Sequence, residues 1–142
     1  MSERKLEVFF YGLFMDREAL LTEGYHPGPA VLASLSGYAL HIGQRATLVP
    51  SSGRTAWGMM MALPAGEIER LYSGASVSAY RPEAVLVKSA EGTPVPALCY
   101  NLMRLEESAP NRDYARKLAA VAARLALPEV FIAEIERFSQ KP

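Results

Sequence analysis

The run Val8-Phe9-Phe10-Tyr11-Gly12-Leu13-Phe14-Met15 sets an apolar segment directly against a glycine. It reads as a buried first strand, Lys5 to Tyr11, that stops in a tight turn, and a chain with such a strand has to build its core around it. Gly12 also leaves room for a ligand to approach the neighbouring amide N–H groups, which can hold an anion without a charged side chain. The same turn has many purely structural uses.

With 142 residues, half of them apolar, the chain fits one domain, 1–142, with a core of ordinary size. Fifteen basic residues balance fifteen acidic ones, so no overall field draws in nucleic acid or an anionic membrane, and a small neutral or zwitterionic ligand suits the balance better. Cys99 is the single cysteine; no internal disulfide can form, and the cytoplasm is the expected compartment. Ser2-Glu3-Arg4-Lys5 leads into the first strand without a signal-peptide pattern, and no apolar segment is long enough to span a bilayer.

Asp16 offers an N-cap for a short helix over Arg17 to Leu21. Strands follow at Ala30 to Leu35 and Tyr38 to Ile42, divided at Gly37, and a short extended piece, Thr47 to Val49, meets the turn Pro50-Ser51-Ser52-Gly53. Thr55 to Ala62 reads as a central strand whose Met59-Met60-Met61 packs in the core. A two-turn helix carrying Ile68, Leu71 and Tyr72 begins at Pro64, and a tight loop of small residues, Ser73 to Ser78, follows it. Arg81 to Val87 and Val95 to Met103 form a hairpin around Glu91-Gly92-Thr93, which brings the strand count to six. Beyond Pro110, Tyr114, Leu118, Val121 and Leu125 mark one helical stripe, and Phe131, Ile132, Ile135 and Phe138 mark a second after Pro128. Hairpins outnumber strand–helix alternations, so the expected class is α+β with a curved or closed sheet.

Few residues suggest chemistry by themselves. No Gly-x-Ser-x-Gly segment is present for serine nucleophilic catalysis. Cys99, between Leu98 and Tyr100, reads as a small buried residue, and His26 and His41 show no metal-ligand spacing with the single cysteine; no metal or cofactor is expected. Arg45 and Arg54 flank turns and read as solvated cations.

The order of the pieces is more specific than any one of them. Tyr11-Gly12, Leu35-Ser36-Gly37-Tyr38-Ala39-Leu40, Thr55-Ala56-Trp57-Gly58, Leu63-Pro64 to Leu71, and Tyr80-Arg81 follow one another in a series that resembles the γ-glutamylcyclotransferase-like family. The resemblance spans Glu7 to Met103 and leaves the terminal helices as an individual extension. It implies a small mixed β-barrel with flanking helices, a core over about 5–103, and two C-terminal helices over about 111–139. Active members of that family cleave γ-glutamyl compounds by internal attack and release pyroglutamate and an amine, with a glutamate in the loop after the short helix as base. The corresponding position is Ala75, whose methyl group cannot accept a proton. Leu13 and Phe14 follow Gly12 where the family often has a small polar residue, so the pocket mouth should be more apolar.

The leading expectation is therefore a small-molecule-binding domain without the standard activity. Tyr11, Gly12, Leu13 and Phe14 would form the turn, Tyr80 would supply a cavity hydroxyl, and Ala75 would mark the vacant base. A second reading is an active enzyme on a γ-glutamyl or allophanate-like substrate with Glu83 or Asp16 as substitute base; the segment Glu91 to Tyr100 also looks like the end of the related domain of allophanate hydrolases. The structural reading is the stronger for both, Asp16 as a helix cap and Glu83 as a solvent-facing strand residue. A third reading is an interaction module whose Phe131 to Phe138 helix forms a homodimer surface.

Overall fold

The structure, a computed structural model, describes residues 4–140. Five strands, β1 (Lys5–Phe10), β2 (Val31–Ile42), β3 (Ala46–Pro64), β4 (Tyr80–Ser89) and β5 (Pro94–Leu102), close into a barrel in the order β1-β3-β2-β4-β5. Four helices accompany it: α1 (Arg17–Thr22), α2 (Ala65–Leu71), α3 (Arg112–Arg124) and α4 (Glu129–Arg137). All neighbouring strands are antiparallel except β1 and β5, which meet in parallel at Val8 and Leu98. This is the α+β class with a closed sheet that the hairpin-rich order predicts, and the mixed barrel that the family resemblance implies.

The barrel has five strands and not six, because the turn signals at Gly37 and Pro50-Ser51-Ser52-Gly53 bend strands without separating them. Ser36 pairs with Thr55 and Tyr38 with Pro50, so residues 51–54 are an excursion of β3 opposite the bend at Gly37. Pairing resumes on both sides of the irregularity, and the ladder outvotes the local breakers.

Val8, Phe9 and Phe10 are all buried, as are Met59, Met60 and Met61 on the neighbouring strand. Their close approach depends on Gly58. A Cβ at that position would lie 2.1 Å from the Phe10 carbonyl oxygen and 3.2 Å from the Phe9 ring, so the Trp57-Gly58 pair has a packing reason.

The C-terminal stripe is rotated from its expected position. Ala115, Leu118 and Ala122 are the buried residues of α3, with Tyr114, Val121 and Leu125 only partly buried, because small side chains let the helix approach its neighbours closely. In α4, Phe131 and Ile135 belong to the core, Ile132 and Phe138 are partly buried against it, and Val130 is the large apolar residue that the helix exposes. Helix α3 ends in a Schellman turn, with Leu127 N–H donating to Ala122 O and Ala126 N–H to Ala123 O. Ala126 sits there at φ 61°, a conformation that favours glycine.

Two stability measurements follow by chemical denaturation. Gly58→Ala should cost at least about 2 kcal/mol through overpacking against β1 backbone, and an unchanged midpoint would contradict the packing reason given for Gly58. Ala126→Gly should stabilise the fold by about 0.5–1 kcal/mol, since relief of the left-handed strain outweighs the added chain entropy.

Candidate functional site

One end of the barrel gathers the turn after β1, the β2–β3 turn and the loop between α2 and β4 around a hollow of about 350 Å³. That is the small end of the range for ligand pockets. Tyr11, Gly12, Leu13, Phe14 and Tyr80, the residues singled out from the sequence, all line it. So do Arg45, Tyr72, Tyr100 and Tyr114, which strand and helix patterns do not bring together. Ala75 is exposed in the α2–β4 loop and stays out of the wall, while its neighbours Ser76 and Val77 enter it.

Three hydroxyls of the wall already face main-chain partners. Tyr11 Oη donates to the Tyr100 carbonyl at 2.7 Å, and Tyr80 Oη donates to the Ala46 carbonyl. Tyr114 reaches over from α3 to the first turn, where its hydroxyl faces the Leu13 N–H and stands 2.8 Å from where a Cβ on Gly12 would be. A side chain at position 12 would thus have to push the Tyr114 hydroxyl aside.

Burial raises the pKa of every one of these phenols and so disfavours their ionisation. It pushes Tyr114 up to about 12 against the opposing pull of the Leu13 amide, and holds Tyr11, Tyr72 and Tyr80 above the ordinary tyrosine value. They are neutral donors at physiological pH. No carboxylate or histidine is among the residues lining the hollow. The wall therefore offers hydrogen bonds and aromatic surface, but no group ready to accept a proton at neutral pH.

Arg45 is its one charged residue, and it is not simply solvated. Its backbone N–H and Nε donate to the two Glu106 carboxylate oxygens at 2.8 and 3.0 Å, Nη2 lies 2.9 Å from Oε2, and Nη1 donates to Ser76 O at 3.2 Å. Burial pushes the Glu106 carboxyl up, but the bonds from Arg45 outweigh it and hold it below its ordinary value. Together with Asn111, whose N–H donates to Gly43 O at 2.8 Å, Glu106 straps the segment after β5 across the β2–β3 turn. Arg54, the other candidate, pairs with Glu134 on α4.

The two substitute acids lie elsewhere. Asp16 precedes α1 without capping it by its side chain, and its Oδ2 instead accepts from Arg124 Nη2 at 2.5 Å. Glu83 is exposed but held, accepting from Asn101 Nδ2 at 2.6 Å and from Tyr38 Oη at 3.2 Å. Paired backbones join β2 and β4 at only two positions, Ala33–Ser89 and Ser34–Lys88, so the Tyr38–Glu83–Asn101 link closes the seam where that ladder stops. Cys99 is fully buried beside this link, and burial pushes its thiol up to about 12. Among the described residues no three His, Cys, Asp or Glu side chains gather as a metal site, and no helix is long and apolar enough to cross a membrane.

A sequence profile described as the AIG2-like family matches residues 55–135, more than half of the chain. The match includes α3 and most of α4, so these helices are part of the family pattern and not an individual extension. No curated protein sequence is significantly similar. Among solved structures, a protein described as gamma-glutamyl cyclotransferase superposes with a TM-score of 0.80 at 20% identity, over 94% of this chain and 87% of its own. YkqA from Bacillus subtilis gives 0.79 at 25% identity, over 96% of this chain and 55% of its own. The yeast gamma-glutamyl cyclotransferase specific to glutathione gives 0.61 at 12% identity, over 96% and 98%. The barrel with its flanking helices is thus the fold of those enzymes.

The strap makes a testable claim about pH. Glu106→Ala should cost roughly 1–3 kcal/mol at neutral pH, the range for losing hydrogen bonds to a charged group. Because the Glu106 carboxyl is held low, its contribution is present above the ordinary carboxylate value of 4.5 and lost as pH falls through the lowered one. Denaturation of both proteins across that range should show the gap closing in acid, and a gap that is absent or independent of pH would contradict the ion pair.

Proposed function

The chain belongs to the AIG2-like family, and from that premise we propose that it binds a small amino-acid-like or γ-glutamyl-type molecule at the barrel end without the standard cyclotransferase activity. The observation that carries this reading is a pocket built on the Tyr11–Phe14 turn whose wall contains no carboxylate. Cyclisation of a γ-glutamyl group requires the substrate's ammonium to lose a proton before its nitrogen attacks the γ-carbonyl carbon and the amine departs. A positioned base contributes about a hundredfold to ten-thousandfold to such a step.

Ala75 is the vacant base position in this proposal. Its neighbours Ser76 and Val77 line the pocket, which supports reading the α2–β4 loop as the segment that carries the base in active members. Asp16 and Glu83 have partners of their own and lie outside the wall, which disfavours a substitute acid. The proposal includes a cytoplasmic location, which suits a chain whose single cysteine is a buried thiol.

Incubation with a panel of γ-glutamyl dipeptides, followed by chromatography for pyroglutamate, tests the reading. Release is expected at least about a hundredfold slower than for an active cyclotransferase assayed in parallel, the smallest loss that removal of a base predicts. Turnover at comparable rates would overturn it.

A further inference from the structure

We infer that the pocket selects its ligand through an aromatic group, so that among γ-glutamyl compounds it favours those whose amine component carries an aromatic ring; this rests on the proposed reading of the pocket as the ligand site. The argument begins with what the wall leaves free. Tyr72 stacks on Tyr100 with ring centroids 4.0 Å apart and planes 8° from parallel. Phe14 meets Tyr72 edge-on at 5.6 Å and 87°, and Tyr80 leans against it at 6.0 Å and 52°. All four rings line the hollow and are only partly buried. They form a continuous aromatic array with edges and faces available at spacings that a further ring can join.

Several polar groups of the same wall, its one cation included, are engaged. Tyr11 and Tyr80 donate to main-chain carbonyls, the Tyr114 hydroxyl faces the Leu13 N–H, and Arg45 is taken up by Glu106 and the Ser76 carbonyl. A ligand anchored chiefly by its charges has to displace one of these bonds and leave a protein group unpaired. A ligand anchored by a ring gains contact without that loss. Gly12 does not reopen an anion site, since the space beside it is filled by the Tyr114 hydroxyl. A hollow of about 350 Å³ restricts the choice to a small molecule.

The test titrates the full chain with γ-glutamylphenylalanine and with γ-glutamylglycine, two dipeptides of equal charge that differ by one benzyl group, while amide resonances are followed by NMR. The expected result is at least tenfold tighter binding of the phenylalanine compound, with shifts at Gly12 to Phe14 and Ser76 to Tyr80. Equal affinities, or tighter binding of the glycine compound, with shifts at those amides would overturn aromatic selection and leave the ligand-site reading standing. No saturable shift with either compound, or shifts confined to Gly53 and Val130 at the other hollow, would overturn the ligand-site reading and the selection with it.

Discussion

Closure of the barrel through β1 is the constraint on which the other features depend. The strand is antiparallel to β3 along Lys5 to Phe10 and parallel to β5 at Val8 and Leu98. It also has cover on both faces, which is why Val8, Phe9 and Phe10 are buried in succession instead of alternating. A side chain at position 58 would block this arrangement, because the Phe10 carbonyl occupies the space it would need. Once β1 is seated, its C-terminal end lies at the same barrel end as the β2–β3 turn and the start of β4, and the turn at Gly12 becomes one wall of the pocket.

The remaining walls come from distant parts of the chain and are fastened by polar contacts at the rim. Glu106 grips Arg45, Asn111 grips the β2–β3 turn, and Tyr114 closes on the first turn from α3. Helix α3 is therefore part of the pocket as well as of the core. These contacts also settle the electrostatic character of the pocket: its one cation is neutralised by an adjacent acid, and its phenols are kept protonated by burial. What the pocket presents is mainly ring surface.

Local patterns predict the strand–turn–helix opening, the β4–β5 hairpin, the helix after Pro64 and the two terminal helices, because each is determined by periodicity and by turn residues within a few positions. They fail where pairing across the sheet decides. Gly37 and Pro50 to Gly53 carry turn signals as strong as those of Glu91 to Thr93, yet only the last separates two strands, since only there does the chain reverse into a new ladder. The alanine face of α3 is similarly invisible to a search for large apolar residues, and the end of that helix lacks the glycine that would have marked it.

The sequence by itself determines the fold class, the presence of a glycine turn after a buried strand, and the methyl group at position 75, since each is a matter of residue type and local order. Only the tertiary structure decides that Arg45 and Tyr114 join that turn in one wall, and that Asp16 and Glu83 are held by Arg124 and by Asn101 with Tyr38 away from it. The reason is geometric: those groups are brought together or kept apart by barrel closure and by the strap over its end, and the partners that hold them are 18 to 108 positions apart in the chain.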